Sequence, residues 1–197
     1  MLAEMTQWLV ETVADMGYWG IFVLMGIESS FIPFPSEVVL VPAGYLAAKG
    51  ELHFAAVIGV ALLGSLAGAL VNYYGAMLIG RRLLLRYGRY FFISPSSMQR
   101  MERFFEHHGP ISTFTGRLIP GIRQLISIPA GLARMEMKRF LLFTALGAGI
   151  WGTILTALGY LIGDNEAMIK TYLGQITLIT LVLVALTLAV YYRYNRK

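Results

Sequence analysis

Two segments of this chain are too apolar for water and too broken to cross a membrane as straight helices, and they match each other. Phe31-Ile-Pro-Phe-Pro-Ser-Glu-Val-Val-Leu-Val-Pro-Ala-Gly44 lies without a gap over Leu118-Ile-Pro-Gly-Ile-Arg-Gln-Leu-Ile-Ser-Ile-Pro-Ala-Gly131 at an offset of 87, with five of fourteen positions identical. The first stretch, 18–46, carries Glu28, Pro33, Pro35, Glu37 and Pro42; the second, 111–133, carries Arg117, Pro120, Gly121, Arg123 and Pro129. A proline inside a helix removes one hydrogen bond and crowds the preceding turn. An ionisable group at mid-bilayer costs about 2.5–3.5 kcal/mol on insertion scales. Irregular backbone at membrane depth survives only where protein or a wet cavity covers it. Each segment is therefore expected to be a re-entrant hairpin that enters and leaves on one side. Its breaks are expected at Pro33, Pro35 and Pro42 in the first copy and at Pro120 and Pro129 in the second.

Composition supplies the setting. Of 197 residues 57% are hydrophobic and only 14% charged, where a soluble domain carries about 25% charged residues. Too few charges remain to cover a water-facing surface, which excludes a soluble enzyme, a disordered hub and a disulfide scaffold. The chain has no cysteine, so thiol chemistry and Cys-based metal sites are ruled out. Its three histidines, His53, His107 and His108, are thin material for a metal site. Neither a metal nor a cofactor is expected.

The chain reads as one all-α polytopic membrane domain over 1–197, built from two inverted repeats. In residues 1–16, Leu2, Met5, Leu9, Thr12, Val13 and Met16 share one helical face, opposite Glu4, Glu11 and Asp15, as in an interfacial helix. A signal peptide would need a basic n-region, which this segment lacks. Residues 18–80 form the first repeat, a hairpin followed by an apolar span over 54–79. Residues 81–110 are a basic, amphipathic cytoplasmic linker whose helix is expected to start at Ser94-Pro95 and stop at Gly109-Pro110. Residues 111–163 form the second repeat, with its span over 140–162, and 172–192 a C-terminal transmembrane helix. Gly64-xxx-Gly68 and Gly159-xxx-Gly163 suit close helix packing, inside the chain or across a homodimer face.

One crossing per repeat inverts the second copy, and charge placement agrees. With 81–108 in the cytoplasm, twelve of the sixteen Lys and Arg lie on that side, in 81–103, 134–139 and the tail; Lys49 and Lys170 lie outside with six acids. The C-terminus is thereby expected in the cytoplasm. Cations that flank hydrophobic segments are topology signals, so nucleic acid is not an expected partner.

Arg117 and Arg123 fall inside the apolar stretches, with Glu28 and Glu37. Two acids from one repeat and two bases from the other make a neutral set. Four unpaired charges would cost on the order of 10 kcal/mol, so they must pair or line a wet cavity. Arginine offers a fixed fork that matches phosphate or carboxylate. A glutamate held in low dielectric suits a proton carrier. Pro120-Gly121 breaks the chain between the arginines, which frees backbone N–H groups, that of Gly121 included, to face an anion. The residues describe an anion-binding, proton-sensitive site near the midplane, in the architecture of secondary transporters.

Glu28-Ser-Ser-Phe-Ile-Pro-Phe-Pro-Ser-Glu37 resembles the first signature of the DedA family of bacterial membrane proteins. Gly116-Arg-Leu-Ile-Pro-Gly-Ile-Arg123, continuing through Ile128-Pro-Ala-Gly131 to Arg134-Met135, resembles the second. The resemblance implies facing re-entrant hairpins and residence in the bacterial cytoplasmic membrane. It implies translocation of undecaprenyl phosphate, a polyprenyl phosphate lipid carrier, and kinship with eukaryotic lipid scramblases. By matching position, Glu28 and Glu37 become the family's membrane-embedded acids and Arg117 and Arg123 its essential arginines. The leading expectation is thus a non-enzymatic flippase that binds phosphate through Arg117, Arg123 and Gly121 and couples to protons or sodium through Glu28 and Glu37. The alternative is a proton- or sodium-coupled antiporter of small cations or drugs that supports membrane-potential homeostasis. A lipid pyrophosphate phosphatase would need paired histidines near a basic cluster, a spacing that adjacent His107-His108 and lone His53 do not supply.

Overall fold

Helix α1 (Leu2–Glu28) is bent at Gly17, whose φ of 55° and ψ of −147° glycine alone adopts without strain. The bend separates the polar first sixteen residues from the apolar run that leads to Glu28. The computed structural model describes residues 2–30, 35–80, 95–119 and 122–163, and no strand is found among them. The expected C-terminal helix over 172–192, the basic stretch 81–94, Pro33, Pro120 and Gly121 lie outside the described residues, as do the side chains of 2–10.

Helix α1 gives way to a turn at Ser29 and Ser30, and the short helix α2 spans Glu37–Ala48. A turn leads into α3 (Phe54–Gly75), which continues as one π-helical turn, Ala76–Gly80. Helix α4 (Pro95–Leu118) precedes a second break, the short α5 (Ser127–Leu132) and the long α6 (Met137–Ile162). Among the described residues two stretches are long and apolar enough to cross a membrane, Phe54–Gly80 and Met137–Leu161. At about 1.5 Å per residue either exceeds a hydrocarbon core of roughly 30 Å. Their outward faces are apolar: Leu63, Val71 and Leu78 on α3, and Leu142, Leu146, Ile150, Ile154 and Leu158 on α6, are all exposed. Spacings of three to four residues and their multiples make each set one stripe, as expected of a surface that meets lipid.

The two spans pack on each other, with α1 against α3 and α4 against α6. The short helices cross over, α2 resting on α6 and α5 on α3. Both crossings are close backbone contacts through glycine. A Cβ at Gly44 would run into the Thr156 carbonyl and come within 3.0 Å of the Tyr160 amide; a Cβ at Gly131 would run into the Tyr73 carbonyl. Gly131 follows Gly44 by 87 residues, and Tyr160 follows Tyr73 by the same interval. Around these contacts lie two apolar clusters. Ile21, Val39, Leu40, Val41 and Val57 fill one; Tyr73, Ala130, Met135 and Phe140 fill the other, where the Tyr73 hydroxyl donates to the Met135 carbonyl.

Two local expectations are corrected. Gly109-Pro110 does not stop the helix, since α4 runs through to Leu118, from the expected linker into the stretch expected to open a second repeat. Gly109 is buried against Met135, whose sulfur lies 3.3 Å from where a Cβ would sit. Packing of α4 along α6 and α5 outweighs the one hydrogen bond that Pro110 removes. Pro42 and Pro129, expected at breaks, stand inside α2 and α5 instead. Pro129 occupies the first turn of its helix, where backbone N–H groups have no intrahelical partner to lose. Pro42 is wholly buried among the α2 contacts, and that packing holds the helix together across the missing bond.

Candidate functional site

The breaks place three ionisable side chains at helix ends and a fourth in the turn between two helices. Glu28 is the last residue of α1, and Glu37 the first of α2, where the positive end of the helix dipole favours a carboxylate. Arg117 occupies the last turn of α4, where the dipole favours a cation. Arg123 lies in the turn between α4 and α5. All four are buried, with between 3% and 6% of their surface exposed. Gly147 on α6 brings the Arg117 segment close: a Cβ there would lie 2.6 Å from the Arg117 Cβ.

Their pairing is unequal. Arg123 Nη2 lies 3.0 Å from Glu28 Oε1 and 3.6 Å from Glu37 Oε2, so one guanidinium faces both carboxylates. Those two oxygens have ion-pair proximity without a directed hydrogen bond. The Arg123 guanidinium also lies 5.2 Å from the centre of the Trp151 ring, within cation–π range. Trp151 in turn donates its indole N–H to Ser36 Oγ at 3.3 Å. Arg117 donates through Nη2 to Ser127 Oγ at 2.7 Å, its Nε has no hydrogen-bond partner, and no carboxylate lies within ion-pair distance among the described residues. Ser29 Oγ donates to the second Glu28 oxygen at 2.9 Å. Met25, Glu28, Ser29, Ser65, Arg117, Arg123 and Trp151 border a cavity of about 20 Å³, enough for a water.

The four residues singled out as ionisable groups in apolar segments therefore converge on one place. Of the remaining expected site residues, Pro35 sits at the first break, two residues before α2. Three contributors escaped the sequence reading: Trp151, Ser127 and Asn72. Asn72 is completely buried on α3 and donates through Nδ2 to the carbonyls of Ser29 and Gln124, each at 3.1 Å. Its signal was present, since a carboxamide within a 26-residue apolar span must find a partner there.

Two lipid-facing spans enclosing a buried acid–base cluster at helix breaks define a helical integral membrane protein. The VTT domain matches residues 34–161, and the chain belongs to that family, the DedA family of membrane proteins. It is 37% identical to the uncharacterized membrane protein YkoX of Bacillus subtilis, over 88% of this chain and 77% of that one. It is 36% identical to an alkaline phosphatase-like protein of Lactococcus lactis, over 92% of this chain and 87% of the relative. It is 30% identical to undecaprenyl phosphate transporter A of Bacillus subtilis, over 100% of this chain and 96% of the relative. No solved structure matches the chain.

Proposed function

We propose that this protein carries undecaprenyl phosphate, or a polyprenyl phosphate like it, across the bacterial cytoplasmic membrane, with the phosphate held at Arg117 and Arg123 and the isoprenoid tail left in the bilayer. The observation that carries the reading is the unequal pairing. Both carboxylates lie within ion-pair range of Arg123, while Arg117, 3% exposed, has one serine hydroxyl as its hydrogen-bond partner among the described residues and feels Glu28 only from beyond ion-pair distance. A buried guanidinium with an unfilled fork, beside a cavity, is matched by an oxyanion of a phosphate monoester. The Gly121 N–H is proposed as a further donor to that phosphate.

In this reading each broken segment is a re-entrant hairpin, α1 with α2 and α4 with α5, and the two repeats are inverted. Support comes from the crossed packing of α2 on α6 and α5 on α3, at glycines and tyrosines separated by the same interval of 87. Glu28 and Glu37 act as the proton-coupling pair. Protonating either weakens its hold on Arg123 and releases that guanidinium to the phosphate. The C-terminus is assigned to the cytoplasm from the charge distribution. The name of the relative in Bacillus subtilis that spans the full chain, undecaprenyl phosphate transporter A, supports the substrate class.

Among the alternatives, a cation exchanger needs carboxylates free to take its ion, whereas here both face an arginine. A phosphatase, as one relative's name suggests, needs a nucleophile and a base at the phosphate. His53 lies before α3, and His107 and His108 are exposed on α4, so none joins the cluster. The test is translocation of labelled undecaprenyl phosphate in proteoliposomes. Rapid, protein-dependent loss of label from one leaflet supports the proposal. Flux of a soluble cation with no lipid movement overturns it.

A further inference from the structure

Asn72 occupies a place that none of the charged residues can fill. It sits in the last turn of α3, wholly buried, and its side-chain N–H groups reach backbone carbonyls on both broken segments, Ser29 and Gln124. Both acceptors are carbonyl oxygens, so the carboxamide nitrogen faces them, while the amide oxygen is buried without a hydrogen-bond partner among the described residues. Ser29 directly follows Glu28, and Gln124 directly follows Arg123. One side chain therefore holds the two peptide units adjoining the Arg123–Glu28 pair, which is itself 3.0 Å apart. The position 87 residues onward is Gly159, where a Cβ would run into the Val41 carbonyl. Both crossings are close backbone contacts at their glycines, and at Asn72 α3 adds a side chain whose bonds can be exchanged for others.

We infer that Asn72 is a positioning residue that clamps the two broken segments to one another and sets the spacing of Arg123 and Glu28. The inference rests on the transporter reading for its role in turnover, but the clamp itself is a matter of geometry. Transport requires the segments to part and rejoin, and two uncharged hydrogen bonds to carbonyls are weak enough to break in each cycle. Loss of both donors leaves the carbonyls unpaired and the acid–base pair out of register, an error of the kind that costs turnover about a hundredfold when reacting groups are misplaced by 1 Å.

The experiment uses full-length protein carrying cysteines at Ser30 and Leu125 for spin labels, on a chain that has none of its own. Asn72→Leu removes both donors at similar volume, and Asn72→Ser keeps one short donor should the leucine variant not fold. The expected result has three parts. The label-to-label distribution is narrow in the parent and broad in the variant, kcat for undecaprenyl phosphate falls about tenfold or more, and KM stays within about twofold because the Arg117 fork, which Asn72 does not touch, still receives the phosphate. An unchanged distribution in the variant, or a broadened one with wild-type kcat, overturns the inference. If the parent moves no lipid phosphate, the transporter reading fails and the positioning role with it, whereas a broad distribution in the variant still upholds the clamp.

Discussion

Arg123 and Glu28 meet at 3.0 Å across the junction of two broken helices, and Arg117, a few residues before Arg123 in the chain, has no such partner among the described residues. Buried ion pairs are poor substitutes for apolar packing, and breaking one leaves an uncompensated charge. The asymmetry therefore separates a guanidinium that is structurally committed from one that is available, and mutation should distinguish them.

Arg123→Met leaves Glu28 and Glu37 facing each other's charge without their cation. Loss of one partner of a buried pair costs about 3–5 kcal/mol, so a marked fall in thermal stability in detergent is expected. Adding Glu28→Met and Glu37→Met should restore most of it. Melting curves of the single and triple variants check this.

Arg117→Met removes a charge with one hydroxyl partner and fills the space with apolar atoms. Stability is expected to hold or rise, by up to about 2 kcal/mol, while lipid translocation is lost. Thermal melting measured beside proteoliposome transport checks the divergence. A variant that loses both together would assign Arg117 a structural role.

Glu28→Gln retains shape but cannot exchange a proton. Phosphate-lipid binding is expected to persist within a few-fold, while the dependence of transport rate on pH flattens because one of two coupling carboxylates is gone. Initial rates from pH 5.5 to 8.5 for parent and variant decide it. Two superimposable curves would remove Glu28 from the coupling step.

Gly44→Ala and Gly59→Ala differ by one methyl each on helices of the same protein. At Gly44 the added Cβ runs into the Thr156 carbonyl, whereas at Gly59 nothing lies within 4 Å. The first is expected to destabilise by about 1–3 kcal/mol, and the second to be neutral or stabilising by about 0.5–1 kcal/mol through helix propensity. Paired melting curves provide the check.

The acid–base cluster was legible before any coordinates because charge inside apolar sequence has few explanations, and Glu28, Glu37, Arg117 and Arg123 each announce one. The two spans and the close-packed glycines were legible from hydropathy and small-residue spacing. What local rules missed was settled by neighbours distant in sequence. Gly109-Pro110 reads as a stop until Met135 and α6 are placed beside it, and Pro42 reads as a break until α2 is seated on α6. Asn72 marks itself in its apolar span only as a group that needs a partner, and Trp151 is an ordinary residue in its own segment. Their meaning comes from Ser29, Gln124, Ser36 and Arg123, the nearest of them 28 residues away in the chain and the farthest 115.

The most direct test of the proposed phosphate site is equilibrium binding of undecaprenyl phosphate to purified protein in micelles, titrated for the parent and for Arg117→Met with dephosphorylated undecaprenol as the control lipid. The expected result is saturable binding of the phosphate lipid by the parent, at least about tenfold weaker binding by the variant, and no distinction between the two proteins for the alcohol. Equal affinity of parent and variant for the phosphate lipid would contradict the assignment of Arg117 and the function built on it.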